Sequence, residues 1–171
     1  RKEMISLVHT RLSILDLSKS GHQPMHSSCG RYTISFNGEI YNHLEIRIIL
    51  NNYKKNIFWK STSDTETILE SFSILGVDET LKIMRGMFAI AVYDKKNKEI
   101  NLIRDRYGEK PLYLLKLKNQ IFAFASDIIA FSDIKEFSLS LDLEGLACFF
   151  QRGYIAAPLS IWENVKKLMP G

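Results

Sequence analysis

The chain has 171 residues, of which 46% are hydrophobic and 25% charged, with a formal net charge of +4 at pH 7. Its length fits one domain with a core of its own, and its composition excludes disordered, fibrous and membrane-spanning classes, since no apolar run approaches the roughly 20 residues of a span. Lys and Arg are scattered, in clusters no longer than Lys54-Lys55 or Lys95-Lys96, so a solvated surface is expected and a nucleic-acid partner is not.

From the N-terminus, Leu7 to Leu17 is mostly apolar with polar interruptions. Arg31 to Phe36 alternates as a strand does, and Asn37-Gly38 then marks a tight turn. Asn42 stands where it can cap a short helix carrying Leu44, Ile46, Ile48 and Ile49. Ser63-Asp64-Thr65-Glu66 fits a capping box, in which the serine hydroxyl takes an orphan amide and the glutamate reaches back. Ile68, Leu69, Phe72 and Leu75 follow at helical spacing with Gly76 as the stop, and a second helix is expected from Asp78 to Met84. Gly86 to Tyr93 is a continuous apolar run closed by Asp94-Lys95-Lys96-Asn97-Lys98. Ile100 to Ile103, Lys110 to Leu117 and Ile121 to Ala125 read as further strands, the last two joined by Lys118-Asn119-Gln120. Strands this close favour antiparallel hairpins, because parallel crossovers need about a dozen residues. Asp142 can cap a last helix through Phe150, with Gly153 just past its end. Helices and antiparallel strands in separate blocks make an α+β layered domain.

Cys29 and Cys148 have neither metal-ligand spacing nor a secretory context, and free thiols in a reducing cytoplasm are expected, with Cys148 the more buried. His22 and His26 lie four apart, but Pro24 opposes a helix there and no carboxylate or cysteine completes a ligand set, so no metal site is expected. No phosphate-binding loop or dinucleotide fingerprint is present. Arg11, Asn37, Gly38, Glu39 and Asp64 each have a plain structural reading as surface charge, turn or cap. Together they could hold an amino acid. Arginine offers a bidentate fork to a carboxylate, Asp and Glu counter an ammonium, and an Asn amide beside a glycine amide can aim two donors at one oxygen.

Seven phrases occur in order: His9-Thr10-Arg11-Leu12-Ser13-Ile14-Leu15-Asp16, Gly21-His22-Gln23-Pro24-Met25, Asn37-Gly38-Glu39-Ile40-Tyr41-Asn42-His43, Ser63-Asp64-Thr65-Glu66, Arg85-Gly86-Met87-Phe88-Ala89, Arg104 to Tyr113, and Phe124-Ala125-Ser126-Asp127. Over nearly the whole chain this series resembles the glutaminase domain of glutamine-hydrolysing asparagine synthetases, type 2 glutamine amidotransferases. The resemblance implies an N-terminal-nucleophile hydrolase, a four-layer αββα sandwich of antiparallel sheets, with residues 1–171 as one glutaminase domain lacking its first strand. It implies glutamine as substrate and ammonia as product, delivered to a C-terminal synthetase domain that uses ATP and magnesium to amidate aspartate or a related carboxylate. No cofactor or metal is implied in this domain; a homodimer is compatible with it, and a cytoplasmic enzyme without membrane or nucleic-acid partners is expected. By motif position, Arg11 would hold the glutamine α-carboxylate and Leu12, Ser13, Ile14 and Leu15 would line the pocket. Asn37 and Gly38 would form the oxyanion hole, and Glu39 and Asp64 would meet the α-amino group. Arg104 and Asp105 are read as ties between strands, with Pro111 fixing the next turn.

The family's nucleophile is a cysteine at the mature N-terminus, acting with its own amine as base. Neither Cys29 nor Cys148 stands there. The start at Arg1 reads as a cut, so the polypeptide as given is expected to be inactive. The synthetase's pyrophosphate loop does not occur in it either. Two alternatives stay open: the glutaminase domain of another amidotransferase, acting in sugar or polysaccharide amidation, and a non-catalytic domain that kept the fold.

Overall fold

A computed structural model describes residues 5–10, 16, 18–117 and 122–171, Phe122 by its backbone alone. They form two compact units, one ending at Ile103 and one beginning at Arg104.

The first unit runs from a single 3₁₀ turn, Lys19–Gly21, through β1 (Met25–His26), β2 (Tyr32–Ile40), α1 (His43–Tyr53), α2 (Asp64–Leu75) and α3 (Val77–Ile83) to β3 (Gly86–Asp94) and β4 (Glu99–Arg104). The strands lie in the order β1-β2-β3-β4, and β2 pairs antiparallel with both β1 and β3. Side chains alternate between faces along a strand. Tyr32, Ile34, Phe36 and Ile40 on β2 and Phe88, Ile90 and Val92 on β3 therefore share one face, where they pack with Ile46 and Leu50 of α1 and Ile68, Leu69 and Phe72 of α2. Thr33, Ser35, Asn37 and Glu39 occupy the other.

The second unit holds β5 (Tyr113–Lys116), β6 (Phe122–Ala125), a 3₁₀ turn at Ile128–Phe131, α4 (Leu143–Arg152) and β7 (Val165–Lys167). Its sheet runs β6-β5-β7, all antiparallel, over a small core of Leu115, Leu117, Phe131 and Val165. Asp142 caps α4 by accepting from the Gly145 amide at 2.9 Å, and Gly153 ends it in the left-handed conformation. Arg104 donates to the carbonyls of Lys110, Leu168 and Gly108, while Asp105 takes the amides of Tyr107, Glu109 and Lys110. This pair thus organises the loop before β5 and ties it to the end of β7. The class is α+β, as the order of elements predicts.

Three local expectations need correction. Asn37-Gly38 is no turn: β2 continues through both to Ile40, with Gly38 opposite Phe88 and Ile40 opposite Gly86. Nine consecutive pairings with β3 outweigh the turn preference of an isolated Asn-Gly. Glycine is required at both positions all the same. A Cβ on Gly38 (φ +153°) would lie 2.1 Å from the Met87 carbonyl oxygen, and one on Gly86 (φ +159°) would lie 2.1 Å from that of Glu39. Asn42 precedes α1, but its side chain does not cap it; the amide donates to the Ile83 carbonyl and accepts from the Arg85 amide, both at 2.9 Å. On α1 the buried positions are Ile46 and Leu50, while Leu44 and Ile48 face solvent. Only half of the capping box forms. Ser63 accepts from the Thr65 amide at 3.1 Å, but Glu66 turns to the amides of Lys60 and Ser61 and the Ser61 hydroxyl, each at 2.8 Å. The joining residues Lys118, Asn119 and Gln120 lie outside the described residues.

Candidate functional site

The ladder between β2 and β3 dictates where each backbone group of β2 points. Tyr41 donates to the Arg85 carbonyl and Lys95 to that of Arg31, which makes odd-numbered residues of β2 the hydrogen-bonded partners of β3. The amides and carbonyls of the even-numbered residues face the opposite edge, toward β1. Because β1 spans two residues, it pairs only with Thr33 and Ile34. Side chains satisfy other groups along that edge. Gln23 acts as a substitute strand, accepting from the Phe36 amide at 2.7 Å and donating to the Phe36 carbonyl at 3.1 Å. Asp64, the first residue of α2, accepts from the Ile40 amide at 3.0 Å. The Gly38 amide points to the same edge between these two plugs.

Asp64 is 5% exposed. Burial pushes its carboxyl above the ordinary range; the Ile40 amide, His43 and the Thr65 amide oppose that rise, and Glu39 adds to it. Among the described residues no cation forms an ion pair with it. This is a carboxylate in a costly environment. Glu39, the residue before Ile40, is half-buried on the face that also carries Asn37. Along the strand, Gly38 and Ile40 are about 7 Å apart, two residues' rise. A glutamine side chain can bridge that distance.

Of the residues singled out by sequence, Asn37, Gly38, Glu39 and Asp64 converge on the last four positions of β2. Arg11, Leu12, Ser13, Ile14 and Leu15 lie outside the described residues. Their nearest described neighbours are anchored beside the site. His9 Nδ1 lies 3.2 Å from the hydroxyl of Ser35, two residues before Asn37. Asp16 accepts from the amide of Thr62 at 3.1 Å, two residues before Asp64, and from that of Ser18 at 2.8 Å.

Several residues support the site in ways the sequence alone does not show. Gln23, Asp16 and Glu66 bind backbone amides of β2 or of the loop before α2. His43 opens α1 with its Nδ1 buried and without a partner among the described residues. Burial lowers its pKa, with Asp64 and Glu39 pulling upward and Arg47 downward, so a neutral ring stands beside the two carboxylates. Their motif phrases are the sequence signal for these residues; their partners are too distant in the chain to be named from it. Cys29 is exposed in the turn before β2, its thiol 3.3 Å from the hydroxyls of Ser27 and Ser73. Cys148 is half-buried on α4. Among the described residues no cluster of His, Cys, Asp or Glu could hold a metal ion, and no helix is long and apolar enough to cross a membrane.

A family model described as a glutamine amidotransferase domain matches residues 1–171. Asparagine synthetase (glutamine-hydrolysing) 1 of Bacillus subtilis is 33% identical over 173 residues, covering 99% of this chain and 26% of the relative. Asparagine synthetase (glutamine-hydrolysing) 2 of the same organism is 40% identical over 124 residues, 72% of this chain and 16% of the relative. The chain spans about a third or less of the length of the curated relatives it matches. Among solved structures, the glutamine phosphoribosylpyrophosphate amidotransferase of B. subtilis, complexed with ADP and GMP, aligns with a TM-score of 0.60 at 20% identity. It covers 72% of this chain and 28% of that one. The likeness shows a shared fold.

Proposed function

Because the chain belongs to the glutamine amidotransferase domain family, we propose that it serves as the glutamine-hydrolysing part of an asparagine-synthetase-type enzyme. It releases ammonia from glutamine for ATP-dependent amidation of aspartate or a related carboxylate. The observation that carries this reading is the buried Asp64 carboxylate seated on the Ile40 amide, two strand residues from an edge-facing Gly38 amide. The spacing suits one free amino acid. Its ammonium meets Asp64 and Glu39, and its side-chain carbonyl meets Gly38 and the Asn37 amide. Arg11 takes the α-carboxylate, and residues 12–15 line the pocket.

The reaction then runs as an acyl transfer. A cysteine thiolate, the family's N-terminal nucleophile and neither Cys29 nor Cys148, attacks the carboxamide carbon. The carbonyl oxygen gains negative charge, and the Asn37 and Gly38 donors stabilise it; each such donor typically lowers the barrier by about 2.7–4 kcal/mol. The nucleophile's own α-amine, which took the thiol proton, returns it to the leaving nitrogen; collapse of the intermediate expels ammonia, and water hydrolyses the thioester to glutamate. ATP and magnesium act in the synthetase part of such an enzyme, and no residue here is assigned to them.

The test is Asn37→Ala in the full-length protein, followed by glutamate release. The turnover number is expected to fall by about 10²–10³ with the Michaelis constant within about threefold, since this donor meets charge that exists only in the transition state. Equal losses in binding and turnover would refute the role. Arg11→Ala should do the reverse, raising the Michaelis constant at nearly constant turnover.

A further inference from the structure

Among the described residues of the first unit, Arg47 is the most deeply committed cation, and the reaction above gives it no task. Its side chain is 14% exposed. The guanidinium lies 4.0 Å above the ring of Trp59. Its Nε donates to Thr67 Oγ1 at 2.8 Å, and one Nη donates to the carbonyls of Ser61 at 3.1 Å and Ser63 at 2.9 Å, with Glu66 3.9 Å away. Burial draws its pKa below the ordinary arginine value, and Glu66 and Asp64, both in electrostatic reach, draw it back.

Burying a guanidinium is costly unless geometry and hydrogen bonds offset the lost hydration. A leucine or methionine would fill the same space on α1 at lower cost. What Arg47 supplies instead is direction. All its hydrogen bonds run to the residues just before Asp64 or to the first turn of α2, and its stack on Trp59 fixes the loop's beginning. The planar fork can hold two carbonyls and a hydroxyl at once, which an ammonium on a flexible stem cannot do with the same geometry. Glu66 and Asp16 hold the amides of this loop, and Arg47 holds its carbonyls.

We propose that Arg47 is a positioning residue for glutamine binding, setting the entry into α2 so that the Asp64 carboxylate meets the Ile40 amide and the substrate ammonium together. The inference rests on the assignment of Asp64 made above. It acts through Asp64 alone and touches no substrate atom.

The experiment is glutaminase kinetics on the full-length protein carrying Arg47→Met, Arg47→Lys, Asp64→Asn and the Met/Asn pair. Arg47→Met is expected to raise the Michaelis constant for glutamine about tenfold with turnover within about threefold, and Arg47→Lys to recover part of the loss. The double variant is expected to bind no worse than Asp64→Asn alone, because a residue working only through Asp64 has nothing left to position. An unchanged Michaelis constant in Arg47→Met, a fall in turnover alone, or penalties that multiply in the double variant each overturn the inference. Should Arg47→Met not fold, Arg47→Lys carries the same comparison. A normal Michaelis constant in Asp64→Asn overturns the Asp64 assignment and this inference with it. A raised one beside a normal Arg47→Met overturns this inference alone.

Discussion

The β2–β3 ladder ends on one side with Tyr32 opposite Asp94 and on the other with Ile40 opposite Gly86. At the first end a carboxylate has its own cation. Arg31 grips Asp94 through two bonds of 3.0 and 2.6 Å, and Asp94 also accepts the amides of Lys96 and Asn97. The Arg31 side-chain hydrogen bond holds the Asp94 carboxyl below its ordinary range, burial opposes it, and the two amides help. At the second end the Asp64 carboxylate is buried and forms no ion pair with any described residue, and two glycines let the backbones approach where side chains would collide. The two ends of the ladder thus differ: one carboxylate is ion-paired, while the other is held by backbone amides without an ion pair among the described residues. Under the proposed function, stability has been given up at the end that binds glutamine.

The contrast can be broken most sharply at Gly38. Gly38→Ala forces a methyl group into the Met87 carbonyl at a backbone angle that L-residues avoid, so a loss of at least about 3 kcal/mol is expected in urea denaturation. A stable, fully folded variant would show that the close approach is not needed. Asp64→Asn comes next, and its two effects have opposite signs. Glutamine binding should weaken about tenfold, while Tm at pH 7 should rise. The folded-state pKa of Asp64 lies above its unfolded value, so the wild type is handicapped above that folded pKa, and the gap between wild type and variant should close as pH falls through it. A lower Tm for the variant at pH 7 would remove the claim of a destabilising buried charge. The smallest effect belongs to Asp94→Asn, which should lower Tm at pH 7 by less than Gly38→Ala does. Here the folded pKa is depressed, so the wild-type advantage is fully present above the unfolded value and disappears as pH falls through the folded one. Equal Tm values for wild type and Asp94→Asn at pH 7 would erase the contrast between the two ends.

Much of this was legible in the sequence for local reasons. The periodic run after Ser63, the stop at Gly76 and the cap at Asp142 are decided by near neighbours, and the structure follows them closely. The misreadings fall where distant partners decide. Asn37-Gly38 looks like a turn until β3 is laid beside it. Glu66 looks like a capping-box residue until the Lys60 and Ser61 amides are in place. β7 is only three residues long and is defined by its pairing with β5, so nothing in Val165–Lys167 announces it. At the site, Asn37, Gly38, Glu39 and Asp64 stand out in the sequence because their chemical types fit a zwitterion, and the structure brings them together at the end of β2. Gln23, Asp16 and Arg47 were not given roles, because their partners are backbone groups far along the chain.

The side-chain plugs along β2 have one more effect. An open strand edge invites pairing with another molecule, and proteins must blunt such edges. Among the described residues, Gln23 closes the edge at Phe36 and Asp64 closes it at Ile40, with Gly38 between them. A foreign peptide needs several consecutive residues to dock as a strand; a lone amino acid needs only one opening. The same pair of side chains thereby guards the sheet against pairing with another molecule.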